Sequence, residues 1–100
     1  MRIISGKLKG RKLTSFRGQR IRPTSDRVRE AIFDILTVEW GGKEVLDLFA
    51  GTGGLGIEAL SRGAHRVVFV ENHPQALLVL TENLRALKLT GSCEFATPPL

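Results

Sequence analysis

The sequence predicts an α/β domain of the doubly wound type with a basic extension at its N-terminus. Two apolar segments, residues 44–49 and 66–71, have the length of buried strands, and a segment of helical character follows each of them. The second strand is apolar at four successive positions, which is typical of a parallel strand covered by helices on both faces. A glycine-rich turn joins the first strand to its helix. This β-α-β order predicts a parallel sheet with crossover helices.

Two elements are predicted before this unit. Residues 2–16 predict a basic hairpin, with short strands around Arg2–Ile4 and Arg11–Thr14. A helix is predicted to begin at residues 23–26 (Pro-Thr-Ser-Asp), because a hydroxyl cap and an early acidic residue stabilise a helix N-terminus. The apolar side chains that follow have helical spacing and predict one buried face, which consists of Val28, Ala31, Ile32, Ile35 and Leu36.

The β-α-β unit itself continues into a further helix and strand. Between its two strands, a helix is predicted over residues 54–62, with Gly63 as its C-terminal cap. After the second strand, a helix is predicted to begin at Pro74 and to stop at Gly91, and Cys93–Phe95 would begin a third strand. One stripe of this helix is predicted to be buried, and it consists of Leu77, Leu80, Leu84 and Leu87.

The net charge of +5 is divided unevenly along the chain. Residues 1–30 carry ten Lys or Arg and two acidic residues, a balance of +8, whereas residues 31–100 carry five basic and eight acidic residues, a balance of −3. We therefore expect a basic hairpin arm over residues 1–22 and the α/β domain over residues 23–100. Such an arm suggests a polyanionic partner, most simply nucleic acid, although a solvated basic surface would carry the same charge.

Composition argues against several other classes of protein. The longest aliphatic run, Ala76–Leu80, has five residues, whereas roughly 20 are needed to span a bilayer. One cysteine, Cys93, together with His65 and His73, is too small a set for a zinc site, so we expect no metal. No apolar stretch follows Arg2, as a secretory signal would require, so we expect a cytoplasmic protein.

The glycine-rich turn is the candidate ligand site. Gly51, Gly53 and Gly56 match the pattern G-x-G-x-x-G directly after a strand and directly before a helix, a context that makes the pattern informative. Glycines let the backbone approach a ligand closely, and the helix N-terminus offers N–H groups. Glu71 ends the next strand, where its carboxylate could accept hydrogen bonds from two ribose hydroxyls. Glycines that serve only a tight turn are the simpler interpretation, which this combination of features disfavours.

Asp47 discriminates between two ligand classes that share this geometry. Nicotinamide and flavin dinucleotides place a pyrophosphate on the N–H groups of the loop, and an acid four residues before Gly51 would repel it. S-adenosylmethionine has no phosphate and carries two cationic groups, a sulfonium and an ammonium. Asp47 therefore favours S-adenosylmethionine, and it could also cap the turn through backbone N–H groups.

Five segments follow one another in a recognisable order: Lys9-Gly-Arg-Lys-Leu13, Arg22-Pro-Thr-Ser-Asp-Arg-Val-Arg-Glu30, Asp47-Leu-Phe-Ala-Gly-Thr-Gly-Gly-Leu-Gly56, Glu58-Ala-Leu-Ser-Arg-Gly63 and Val68-Phe-Val-Glu71. From Met1 to about Leu89, the chain resembles the N-terminal half of the bacterial RsmD family, the small-subunit (16S) ribosomal RNA guanine-N2 methyltransferases. The resemblance is specific because the Arg-Pro-Thr-Ser-Asp block and the glycine loop occur together at the family's spacing.

The resemblance implies a class I S-adenosylmethionine-dependent methyltransferase fold, Rossmann-like and incomplete here. It implies methylation of a guanine exocyclic amine in small-subunit ribosomal RNA, with that RNA or the assembling subunit as partner. Glu71 would hold the cofactor ribose, and Arg22, Thr24 and Asp26 would lie near the target base, although a capped helix start also explains Thr24 and Asp26. The expected cofactor-binding residues are Asp47, Phe49, Gly51, Gly53, Gly56, Glu71 and Asn72, and the expected RNA-binding residues are Lys9, Arg11, Lys12, Arg20 and Arg22.

The chain departs from the family at its end. The family's Asp/Asn-Pro-Pro-Tyr/Phe motif, which grips the target base, has no match, because Pro98-Pro99 follows Thr97 and precedes Leu100. We therefore name no complete catalytic set. A non-catalytic basic RNA-binding fragment remains an alternative, as does a dinucleotide-dependent oxidoreductase, which Asp47 disfavours. The first strand would also lack cover on its far edge, so we expect a marginally stable or self-associating chain.

Overall fold

The computed structural model describes residues 1–14, 25–36, 39–48 and 50–96. The first helix, α1, spans Asp26–Ile35, and a β-α-β-α-β series follows it. No helix within these ranges is long and apolar enough to cross a membrane. The series consists of β1 (Glu44–Asp47), α2 (Gly54–Ser61), β2 (Arg66–Val70), α3 (Pro74–Ala86), a 3₁₀ turn (Thr90–Ser92) and β3 (Cys93–Ala96).

The three strands form one parallel sheet in the order β1-β2-β3. Leu46 lies beside Val68, and Phe69 lies beside Phe95, so each register keeps apolar side chains together on one face. Parallel neighbours need a crossover connection, and α2 and α3 provide the two crossovers. The predicted β-α-β unit and the predicted third strand are confirmed.

The core lies where α2 and α3 pack against the sheet. Val67 and Phe69 of β2 are fully buried, and so are Ile57 of α2 and Leu80 and Leu84 of α3. Burying an aliphatic or aromatic side chain contributes about 1.5–3 kcal/mol, so these contacts dominate the stability of the domain. Leu77 of α3 is half-buried, and Leu87, which directly follows the helix, is buried, so the predicted stripe is confirmed.

The N-terminal hairpin packs onto this core. One antiparallel bridge joins Arg2 to Lys12, and the amide of Ile3 donates to the carbonyl of Arg11 at 2.9 Å. Ile3 and Leu13 point inward and are buried in the same apolar cluster as the sheet. The predicted hairpin is therefore present, although its two predicted short strands are reduced to one bridge and the flanking backbone hydrogen bonds from Gly10 to Ile3 and from Leu13 to Met1.

The start of α1 is as predicted, but its buried face is not. Ser25 caps the helix by accepting the amide of Val28 at 3.2 Å. The predicted apolar face is wrong, because Val28 and Leu36 are exposed and Ile35 is 79% exposed. Arg29 and Phe33 occupy the buried side instead. The buried position of Arg29 is explained by a buried ion-pair network with Glu58, described below.

Two further boundaries differ from the predictions. Helix α3 ends at Ala86 instead of continuing to Gly91, because Lys88 adopts a left-handed conformation (φ 58°) and the amide of Leu89 returns to the carbonyl of Leu84 at 2.8 Å. Strand β1 ends at Asp47, and Phe49, which was predicted to lie in it, is outside the described residues. The residue after the C-cap of α2, Gly63, has a positive φ of 114°, as the predicted helix end requires.

Candidate functional site

The glycine-rich loop leaves the carboxyl end of β1 and turns directly into α2. Gly51 and Gly53 have φ values of 56° and 95°, so the loop passes twice through the left-handed region that favours glycine. The amide of Gly53 donates to the carbonyl of Ala50 at 2.9 Å, and the amide of Ala50 donates to the carbonyl of Val70 at 3.1 Å. The turn is therefore joined to the end of β2 as well as to β1.

The three glycines of the motif have different surroundings. A Cβ atom on Gly53 would lie 2.3 Å from Cδ1 of Leu80, and one on Gly56 would lie 2.3 Å from Cε1 of Phe69. Gly53 therefore lets the loop pack closely against α3, and Gly56 lets α2 pack closely against β2. Around Gly51, no heavy atom of the described residues, apart from Gly51 and its two chain neighbours, lies within 4 Å of the position a Cβ would take. Gly51 thus borders open space, and it is the point where the backbone could approach a ligand.

Asp47 lies at the last position of β1 and is buried. Its Oδ2 atom accepts a hydrogen bond from the amide of Gly56 at 3.2 Å, in the first turn of α2. A carboxylate at this point satisfies a free helix amide and interacts favourably with the helix dipole. The capping role considered from the sequence is therefore real.

Glu71 follows the last residue of β2, beside the glycine loop. Its Oε1 atom accepts the amide of Gly51 at 2.8 Å, and its Oε2 atom accepts the amides of Asn72 at 3.2 Å and His73 at 3.0 Å. Two acidic side chains, Asp47 and Glu71, therefore stand at the carboxyl ends of adjacent parallel strands and flank the loop. In open α/β sheets, ligands bind in the crevice outside these strand ends.

The residues predicted to bind RNA are only partly described. Lys9, Arg11 and Lys12 are exposed on the hairpin. Arg20 and Arg22 lie outside the described residues, and so does Thr24, which the resemblance places near the target base.

Asp26, the other residue expected near the target base, lies where α1 meets the hairpin. Its carboxylate accepts the amide of Arg2 at 3.2 Å and Nη2 of Arg29 at 3.0 Å. Partial burial acts to raise the pKa of Asp26, but the hydrogen bonds from Arg2 and Arg29 outweigh it, and the pKa is lowered. The structure thus gives Asp26 a role in holding the hairpin to α1.

Several buried polar side chains were not predicted from the sequence, and two of them bond to the N-terminal hairpin from different helices. The first is Glu58, a fully buried carboxylate of α2 that accepts Nε of Arg29 at 3.2 Å and Nε of Arg62 at 3.0 Å. It also accepts the amides of Ile4 and Ser5 at 2.9 and 3.0 Å. A single acid within the otherwise apolar and small residues of α2 was the available signal, since a buried carboxylate needs partners.

The second unpredicted group is Asn83 of α3. Its Oδ1 atom accepts the amide of Thr14 at 2.8 Å, and its Nδ2 atom donates to the carbonyls of Thr14 at 3.0 Å and Thr52 at 3.1 Å. The signal was its spacing, because it follows Leu80 by three residues and therefore shares the buried side of the helix.

Within the described ranges, no group of three or more His, Cys, Asp or Glu side chains is arranged so that it could hold a metal ion. Burial raises the pKa of the Cys93 thiol, with Arg66 opposing the shift. The Cys93 side chain packs against the edge of the core.

The comparisons with known proteins agree with this geometry. A family model described as conserved hypothetical protein 95 matches residues 1–97. A Bacillus subtilis protein provisionally named rRNA methyltransferase YlbH is 49% identical over 90 residues, which cover 90% of this chain and 49% of YlbH. Ribosomal RNA small subunit methyltransferase D of Haemophilus influenzae is 46% identical over 91 residues, which cover 91% of this chain and 47% of the relative.

The solved structures give the same result. The Escherichia coli protein yhhF, provisionally named a methyltransferase, superposes with a TM-score of 0.83 and 38% identity over 96% of this chain and 51% of yhhF. The chain thus spans about half the length of the relatives it matches. The class I methyltransferase fold is confirmed, and the chain belongs to the family described as conserved hypothetical protein 95, the RsmD family.

Proposed function

We propose that this chain is the cofactor-binding half of an S-adenosylmethionine-dependent methyltransferase that acts on ribosomal RNA. The observation that carries the proposal is the pair of carboxylates, Asp47 and Glu71, at the ends of adjacent parallel strands on either side of a glycine turn. The open space beside Gly51 would let a ligand approach the backbone of the turn. Membership of the family and the names of its relatives support a methyl-transfer reaction.

Asp47 supports S-adenosylmethionine over a dinucleotide. Its carboxylate accepts the amide of Gly56 in the first turn of α2, the region where a pyrophosphate would need free N–H groups. The Asp47 carboxylate would repel the negative charges of a pyrophosphate at this position. A ligand with a cationic sulfonium and ammonium is instead attracted to the acid, and the cofactor supplies an activated methyl group when bound.

Glu71 retains capacity for a ribose. A carboxylate has about four acceptor positions, and three of those on Glu71 are used by the amides of Gly51, Asn72 and His73. The remaining position could accept a ribose hydroxyl without breaking the loop. Glu71 would then both shape the turn and recognise the sugar, and Asn72, which is exposed beside it, would border the same ligand.

The finer assignment is methylation of the exocyclic amine (N2) of guanine in small-subunit ribosomal RNA. It is supported by the resemblance of the motifs and by relatives named small-subunit rRNA methyltransferases. The exposed cations Lys9, Arg11 and Lys12 would contact phosphates, together with Arg20 and Arg22. The chain's own contribution is to bind and orient cofactor and RNA, since positioning supplies much of such a rate enhancement.

The cofactor assignment is tested by thermal unfolding with ligand. S-adenosylmethionine or S-adenosylhomocysteine should raise the melting temperature, because a ligand that binds only the native state stabilises it, and NAD and NADP should not. Glu71→Ala should weaken binding by about 1–3 kcal/mol, roughly 5- to 150-fold, because a charged hydrogen-bond acceptor is removed. Glu82→Ala, at an exposed acid of α3, is the matched control. A shift with NAD and none with S-adenosylmethionine would contradict the proposal.

The RNA assignment is tested by the salt dependence of RNA affinity. Binding to small-subunit ribosomal RNA should weaken as salt rises, with a logarithmic slope of about −0.7 for each phosphate contacted in single strands. The double variant Arg11→Gln/Lys12→Gln should make the slope less negative by about 0.7 for each phosphate that the arm no longer binds. The double variant Arg85→Gln/Lys88→Gln removes the same charge from exposed positions near the end of α3 and should leave the slope unchanged. Equal effects of the two variants would mean that the arm is only a basic surface.

A further inference from the structure

Asn83 joins three separate parts of the chain. It lies on α3 and is 3% exposed, and its side-chain amide bonds to Thr14 of the hairpin and to Thr52 of the glycine loop. An asparagine amide has two donor hydrogens and an acceptor oxygen, so both ends of this one are engaged. A buried amide with three partners is costly to disturb, because removing any partner leaves a buried polar group unsatisfied. Asn83 therefore fixes the distance between hairpin and loop.

The contact with Thr52 holds the part of the loop that lies between its two glycines with positive φ. Thr52 is buried and stands between Gly51 and Gly53, the two residues with positive φ. Because the peptide bond is planar, holding the Thr52 carbonyl also orients the amide of Gly53. Leu80, one turn earlier on α3, packs against Gly53 from the same side. Helix α3 thus holds the turn that borders the candidate cofactor site.

The contact with Thr14 reaches the candidate RNA-binding arm. Both the amide and the carbonyl of Thr14 bond to Asn83, so the backbone is held from both sides. Thr14 lies two residues after Lys12, which bridges to Arg2 in the hairpin, and three residues after Arg11. A displacement of Thr14 would therefore act on the same side-chain amide that bonds to the Thr52 carbonyl of the loop.

We propose that Asn83 is a positioning residue that couples RNA binding on the arm to cofactor binding at the glycine loop. The inference rests on the proposed function, since it assigns the two ligands to those two sites. RNA on the arm fixes Thr14, Thr14 fixes the Asn83 amide, and the amide fixes the Thr52 carbonyl. Cofactor affinity rises when RNA is bound, and by thermodynamic reciprocity RNA affinity rises by the same factor when the cofactor is bound.

The test measures the affinity for S-adenosylhomocysteine by titration calorimetry with and without a saturating transcript of small-subunit ribosomal RNA. In the unaltered chain, RNA should tighten S-adenosylhomocysteine binding about tenfold, within the usual range for coupled sites. In Asn83→Leu this ratio should fall to about one. Ser61→Ala is the matched control, because Ser61 holds the hairpin at its other end, through the Leu8 amide and the Ser5 carbonyl, without contacting the loop. Its ratio should stay at about tenfold.

The outcomes separate coupling from a purely structural role. A structural role would lower the melting temperature in Asn83→Leu and leave the ratio at about tenfold, and that result would overturn the inference. A ratio of one in the unaltered chain, with both ligands bound, would overturn it while leaving the proposed function intact. If S-adenosylhomocysteine does not bind at all, the proposed function fails and the inference fails with it.

A measurement on the unaltered chain covers the case in which Asn83→Leu does not fold. Amide hydrogen exchange at Thr14, whose N–H donates to Asn83, should slow several-fold when S-adenosylhomocysteine occupies the loop. The amide of Leu8, which Ser61 holds, should exchange at the same rate with and without ligand. Unchanged exchange at Thr14 under saturating ligand would show that the loop and the arm are independent.

Discussion

Strands β1 and β2 are neighbours with similar apolar sequences, yet they have different surroundings. β2 pairs with a strand on each side, and its Val67 and Phe69 are completely buried. Among the described residues, β1 pairs with β2 alone, and Leu46 and the following Leu48 are 56% and 49% exposed. An apolar run therefore predicts a strand, but what packs against that strand decides whether its side chains are buried.

The exposed side of β1 continues onto α1. A groove of about 360 Å³ runs between them, and its apolar lining includes Ile32, Leu36, Trp40, Leu46 and Leu48. The groove is also lined by Leu55 and Ala59 of α2. One edge of β1 pairs with β2, and within the described residues nothing pairs with its other edge. β2, which is paired on both sides and has buried side chains, is thus the closed part of the core, and β1 with its groove is the open part.

The largest effect should come from the closed part. Phe69→Ala removes a buried ring beneath α2 and should destabilise the chain by about 3–5 kcal/mol, because it leaves a cavity in addition to removing apolar burial. Leu46→Ala, at the register position beside Val68, should change the free energy of unfolding by no more than about 0.5 kcal/mol. Urea unfolding monitored by circular dichroism measures both. Similar costs for the two variants would show that β1 is covered in solution.

The sequence predicted the parts of the fold that depend on local chemistry. Ser25 caps α1, and β1 and β2 end within two residues of their predicted ends, because capping hydroxyls and apolar runs act over short distances. The strand ends then placed Asp47 and Glu71 on the same edge of the sheet, as parallel order requires. Which of these side chains would touch a ligand remains a prediction.

The parts that failed depend on contacts between distant residues. The predicted face of α1 was wrong because the guanidinium of Arg29 is buried against Glu58, a partner 29 residues away that no helical periodicity in α1 reveals. Asn83 was missed for a similar reason, because its partners Thr14 and Thr52 lie in two other elements. A buried polar side chain can be recognised from its apolar neighbours in the sequence, but its partner can be found only in the folded chain.

The smallest effect on stability should come from substitutions in the open part, at β1. Their main effect should be on the self-association of the chain. Strand edges with exposed apolar side chains pair with other chains, and charged residues at such edges prevent it. The 100-residue chain should therefore form larger species as its concentration rises in sedimentation velocity, and Leu46→Lys/Leu48→Lys should shift it toward monomer while changing the free energy of unfolding by about 0.5 kcal/mol or less. Leu78→Lys is the matched control, since Leu78 is 61% exposed but lies on α3, away from the β1 edge. Association that both variants reduce equally would point to general hydrophobicity, whereas a chain that stays monomeric at every concentration would show that the β1 edge is already protected.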